Sequence, residues 1–154
     1  MNLDIILLIA VSSVFVGYLA VIISKFGVLK SISESYYRVH PVIFILFIWT
    51  IAVSLGIIGN TPLMFMAASF LCFVGAAPAF KSSELEERVH IVGASGGIIL
   101  GFASLLLDFK LWYLVLIMAI FTLYASFIKL KNKTWWIECA AFVLIVLGLL
   151  IEKS

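Results

Sequence analysis

Charge is what this chain has least of. Asp, Glu, Lys and Arg make up 12% of its 154 residues, about half of what soluble domains carry, while hydrophobic residues reach 65% and the mean hydropathy is +1.28. Those figures exclude a soluble globular domain. Ten basic residues against eight acidic ones leave a net charge of +2, so the basic field that nucleic-acid binding requires is missing. The two cysteines, Cys72 and Cys139, stand in no paired or metal-ligand spacing, which excludes a disulfide framework and leaves them as small apolar residues. Also absent are a phosphate loop, a dinucleotide glycine motif, a His-Glu-x-x-His pair, a Ser-His-Asp arrangement with credible membrane placement, a selectivity-filter repeat and a mid-membrane lysine. The second half does not repeat the first, so the usual pointer to an inverted-repeat transporter is missing too.

What remains is a set of long charge-free runs. Residues 5–24 form one of 20, close to the length that crosses a hydrocarbon core as a helix. Residues 39–80 form one of 42, which as a single helix would measure about 63 Å and overshoot a core of about 30 Å twofold. It must fold back, and Ile58-Gly59-Asn60-Thr61-Pro62 supplies the turn. Two more runs flank Asp108-Phe109-Lys110, and a last one carries a single acid, Glu138. The fold predicted is therefore an all-α polytopic membrane protein, one domain over 1–154, with six spans at about 5–24, 41–58, 62–79, 89–107, 111–128 and 135–151. A β-barrel would alternate apolar and polar residues, and these runs do not. The first run is read as a retained span rather than a signal peptide, because Met1-Asn2-Leu3-Asp4 is acidic.

Counting Lys and Arg by side orients the bundle. Lys25, Lys30, Arg38, Lys81, Arg88, Lys129, Lys131 and Lys133 fall on one side, against Lys110 and Lys153 on the other. The positive-inside rule then places the three basic loops in the cytoplasm of a bacterial inner membrane and both termini outside it. Trp135-Trp136 and Tyr36-Tyr37 would form the inner aromatic belt, with Trp112 in the outer one.

The polar chemistry gathers on the basic side. Ser31-x-x-Glu34 and Ser83-x-x-Glu86 match capping boxes, and Leu29, Ile32, Tyr36 and Val39 recur at helical spacing, which predicts a short interfacial helix between spans one and two. Lys30, Ser33, Tyr37 and Arg38 would take its wet face. In span four, Gly93, Gly97 and Gly101 repeat every four residues, a small-residue stripe that lets another helix approach closely. Span three offers Ala68, Cys72, Gly75 or Ala76, and Ala79, so spans three and four are predicted to pack stripe to stripe, with Pro78 leaving a carbonyl without its donor near the end of span three.

His40 and His90, the only histidines, come to similar depth and are the metal-ligand candidates; the plainer reading of each is a cap or an interfacial group. His90 shares the glycine face of its helix, and Glu138 enters from the same side. Glu34, Tyr37, His90 and Glu138 are therefore predicted to line one cytoplasm-facing cavity. Two carboxylates beside an imidazole suit a divalent cation, a proton relay or a cationic headgroup alike. The alternative is that each group reaches interfacial water by itself.

Through Ser31-Ile32-Ser33-Glu34-Ser35-Tyr36-Tyr37, Phe73-Val74-Gly75-Ala76-Ala77-Pro78-Ala79-Phe80-Lys81 and Val89-His90, the chain resembles a group of small uncharacterised multi-pass membrane proteins from Bacteroidetes genomes and their phages. The resemblance implies the membrane fold and brings no activity. A weaker likeness is to the superfamily of alkaline ceramidases and progestin and adipoQ receptors, whose zinc needs three histidines in a seven-helix core; two histidines and six predicted helices depart from it. Three classes stay open. The chain reads first as a binding or interaction protein that meets a lipid or small-molecule ligand through its cytoplasmic polar face. The others are a small homo-oligomeric transporter or channel and a membrane-embedded, metal-dependent lipid hydrolase. A transporter would have to draw on Ser12, Ser13, Ser54, Ser69, Ser95 and Thr122 at the midplane; an enzyme would draw on Ser33, Glu34, His90 and Glu138.

Overall fold

The apolar runs wind into α-helix, which pairs backbone N–H and C=O groups within the segment itself, as an apolar surrounding would require. A computed structural model describes residues 3–77 and 83–154. It contains α1 (Leu3–Phe26), a 3-10 helix (Ser33–Tyr37), α2 (Pro41–Gly59), α3 (Pro62–Ala76), α4 (Ser83–Leu107), α5 (Trp112–Phe127) and α6 (Lys133–Lys153). Four of these, α1, α2, α4 and α6, are long and apolar enough to cross a membrane. The other two are apolar but shorter, with 15 residues in α3 and 16 in α5. At 1.5 Å per residue α5 measures about 24 Å, short of a core of about 30 Å.

The turn between α2 and α3 follows its residue chemistry. Asn60 closes α2 in the left-handed region at φ 49°, Thr61 accepts a hydrogen bond from the Met64 N–H at 3.2 Å, and Pro62 opens α3. Helices α1, α2, α3, α4 and α6 surround most of the core, and α5 packs against α4 and α6, adding Leu114 and Met118 to it. At the end of the bundle away from the basic loops, Ile58, Met64, Leu105, Leu114 and Leu149 are fully buried and plug the interior. Two polar links close that end. Ser104 bonds both Thr61 and Asp108, at 3.0 and 2.8 Å, and Lys153 pairs with Asp4 at 3.3 Å.

The glycines of α4 form a groove, but small residues on α3 do not fill it. A methyl group added to Gly93 would stand 2.8 Å from the Phe70 carbonyl oxygen, and one on Gly97 would meet Leu71 at 2.8 Å. At Gly93 the α3 backbone itself comes close, and at Gly96 and Gly97 the Phe70 and Leu71 side chains seat against α4. Gly101 faces Ile145 of α6, not α3. The small residues of α3 turn the other way, toward α2: Ala68 lies 3.0 Å from a methyl built on Gly56, and Gly75 makes room for the Trp49 indole. The Trp49 N–H donates to the Cys72 carbonyl at 3.1 Å. Spans three and four do pack closely, as expected, but the α3 side of the contact is Ala67, Phe70, Leu71 and Val74; the small-residue stripe expected to make it faces α2 instead. Pro78, Ala79, Phe80 and Lys81 of that expectation, and the side chain of Ser83, lie outside the described residues.

The interfacial helix is also shorter than its apolar spacing suggests. Only Ser33–Tyr37 winds, as a 3-10 helix, because α6 holds the backbone ahead of it. Asn132 Nδ2 donates to the Val28 carbonyl at 2.8 Å, the Trp135 N–H donates to the Lys30 carbonyl at 3.1 Å, and the Ile32 N–H donates to Glu138 Oε2 at 2.6 Å. Every second residue from 28 to 32 is pinned to the start of α6, which removes groups an α-helix there would use. The same contact buries Trp135 to 1% exposure, so it belongs to the core and not to an aromatic belt; Trp136 remains exposed.

Candidate functional site

Two cavities meet at the basic end of the bundle. The outer one is a vestibule of about 660 Å³, lined by Lys30, Ser33, Glu34, Tyr37, Glu86 and His90 among others. The inner one is a chamber of about 110 Å³ among α1, α2, α3, α4 and α6, with walls that include Phe15, Phe47, Ile51, Leu71, Ala141 and Phe142. Ser33, Val74 and His90 line both, so they form the threshold. Glu138 borders the chamber and Glu34 and Tyr37 border the vestibule. Of the four residues expected to share one cavity, three therefore line the vestibule, and His90 is the member that also meets Glu138 at the chamber.

The local chemistry positions each group. Ser31 Oγ accepts from the Glu34 N–H at 3.1 Å, as the capping box predicts, but the Glu34 carboxylate reaches back to the Lys30 N–H at 2.8 Å and not to Ser31. Glu34 also pairs with Arg38 at 3.5 Å. Tyr37 donates to Glu86 at 3.1 Å and so ties the 3-10 helix to the start of α4. Loss of solvent around the ring, reinforced by the Glu86 carboxylate, holds the Tyr37 phenol above the usual tyrosine value. Glu138, whose carboxylate accepts the Ile32 N–H, is the anchor of the whole segment.

Beneath the 3-10 helix runs a buried polar link that the sequence does not advertise. Ser35 is fully buried, donates to the Ile32 carbonyl at 2.5 Å and meets the Tyr18 hydroxyl at 2.7 Å. The Tyr18 ring stacks on Phe47 at 3.8 Å, and Phe15 stacks on Phe142 at 3.7 Å. Aromatic faces from α1, α2 and α6 thus converge on the chamber wall. Reading the chain for polar groups passes over them, since a single Phe in an apolar run carries no signal of where it points.

The remaining candidates disperse. His40 caps α2, its Nδ1 accepting from the Val42 N–H at 3.4 Å, and lines a different groove from His90. Among the described residues no three of His, Cys, Asp and Glu come together as a set that could hold a metal ion. Ser13, Ser69 and Ser95 return their hydroxyls to the carbonyl four residues earlier, at 2.8, 2.9 and 2.6 Å, as hydroxyls in apolar helices do. They build no polar path between the threshold and the far plug. Glu84 pairs with Arg88 at 2.6 Å on the exposed surface of α4. In comparisons with protein-family models, curated proteins and solved structures, nothing matches the chain.

Proposed function

We propose that the chain is a multi-pass membrane protein, six spans with its basic loops in the cytoplasm and both termini outside, that binds an amphiphile at its cytoplasmic end. The polar head of the ligand occupies the vestibule and its apolar end enters the chamber. One observation carries this reading: a polar vestibule and an apolar chamber share the threshold Ser33, Val74 and His90. The head is cationic. Glu34, Glu86 and Glu87 face the vestibule against Lys30, and Tyr36 and Tyr37 add aromatic surface that attracts a cation. The chamber sets the size of the apolar end, since an apolar cavity of about 150 Å³ holds a benzene and this one is somewhat smaller. A short alkyl terminus fits it. The lipid-exposed apolar surface of the helices supports the bilayer as solvent, and the far plug and the self-bonded serines weigh against a conducting pore.

The test is a calorimetric titration of protein in nanodiscs with decyltrimethylammonium and with decyl sulfate. Saturable binding of the cation, at least fivefold weaker binding of the anion, and loss of binding in a folded Ala141→Phe variant are expected. Equal binding of the two probes, or unchanged binding after Ala141→Phe, contradicts the reading.

A further inference from the structure

A second groove lies apart from the vestibule, between α1 and α2, and its chemistry has the opposite sign. It measures about 550 Å³ and combines apolar walls with a basic rim. Lys25 at the last turn of α1, Arg38 just after the 3-10 helix and His40 at the cap of α2 all line it, and no acidic residue does. Glu34 touches Arg38 from one side at 3.5 Å, which leaves other guanidinium donors of Arg38 uncommitted. Lys25 makes no ion pair among the described residues.

Below the rim the groove runs along α1 past Val21 and Gly17 to Val14. From Lys25 to Val14 is about 16 Å along a helix axis, half of a hydrocarbon core of about 30 Å and hence about the depth of one leaflet. Gly17 is the informative residue. A methyl group added there meets nothing within 4 Å, so no other helix accounts for a glycine that costs about 1 kcal/mol relative to alanine. At Gly56, Gly75, Gly93 and Gly97, by contrast, the missing side chain is replaced by a packed neighbour. The floor of the groove at Gly17 is open.

We infer that the α1–α2 groove binds an anionic phospholipid of the surrounding bilayer, with its phosphate held by Lys25, Arg38 and His40 and one acyl chain lying over Gly17. Charge complementarity selects the lipid. Basic groups at the membrane surface are worth about 1 kcal/mol each toward anionic lipid, and basic pockets between helices bind anionic headgroups. The acyl chain lies in the apolar half of the groove, which a soluble phosphate ester does not use.

Native mass spectrometry of the detergent-solubilised full chain, with phosphatidylglycerol, phosphatidylcholine or glycerol phosphate added, tests the inference. Retention of one phosphatidylglycerol, at least fivefold above phosphatidylcholine, is expected, with no retained glycerol phosphate. The Lys25→Gln/Arg38→Gln double variant should lose the preference for the anionic head, and Gly17→Leu should lower retention of both lipids, because it fills the floor of the groove without a clash. Lys131→Gln should leave the preference intact. Thermal melting of each variant identifies any that is unfolded, and for such a variant Gly17→Ile and Lys25→Met/Arg38→Met take its place. Equal retention of the two phospholipids, a preference that survives the double variant, or equal retention of glycerol phosphate overturns the inference. Glu86→Gln, which alters the vestibule alone, should leave lipid retention unchanged, so the two sites succeed or fail separately.

Discussion

Glu138 shows how a single ionisable residue in an apolar helix organises a whole segment. Its carboxylate takes the Ile32 N–H at 2.6 Å, and the two neighbouring ties from α6, to Lys30 and Val28, depend on the chain lying where that bond puts it. Glu138→Gln keeps an acceptor oxygen in place and should melt close to the parent. Glu138→Leu leaves a buried N–H without a partner and should cost about 1–3 kcal/mol, read as a lower melting temperature in detergent. Equal melting of the two variants would mean that the bond contributes nothing. Glu138 itself was legible in the sequence as the only acid inside a predicted span. Its partner was not, because the partner is a backbone N–H more than a hundred residues away, a group that every residue but proline possesses. Ser35 was illegible for a related reason. As one of three serines in a polar loop it reads as solvated, yet it is fully buried and holds Tyr18.

At the scale of elements, the four-residue glycine period in α4 showed that something approaches closely, and it left the identity of the neighbour open. Small residues on two helices look the same in sequence whether they meet one another or each receives a large side chain. The structure separates the cases, and the separation has consequences for substitution. At Gly93 the obstacle is the Phe70 backbone oxygen at 2.8 Å, which cannot move without shifting α3. At Gly97 it is mainly the Leu71 side chain, and at Gly101 the flexible end of Ile145. Alanine substitutions should therefore destabilise in the order Gly93, then Gly97, then Gly101, with a cost at Gly93 of roughly 1–3 kcal/mol. Gly17→Ala should raise stability by up to about 1 kcal/mol. Melting temperatures of the four variants in detergent check the order, and a Gly93→Ala variant as stable as Gly101→Ala would refute it. Helix boundaries were legible where turn chemistry is local, as at Asn60-Thr61-Pro62. They were not legible at the segment 29–39, where contacts with α6 decide the conformation.

The whole molecule separates polar from apolar along its length. One end carries the vestibule and the basic groove, the other is sealed by Ile58, Met64, Leu105, Leu114 and Leu149, and the chamber lies between them. The membrane class and the six helices follow from charge-free run lengths, since those measure the distance a helix can travel before it must reach water. The chamber does not follow from any run, because it arises from five helices meeting at once. The chamber holds about 110 Å³ behind walls that are almost wholly apolar, and under the proposed function an apolar ligand end occupies it. The most direct measurement of that occupancy is anomalous diffraction from crystals grown with decyltrimethylammonium carrying a terminal bromine. A bromine peak is expected inside the chamber, between Ala141 and Leu71, with the ammonium head near Glu86 and Tyr37. Bromine found only on the lipid-facing surface, with the chamber empty, would contradict it.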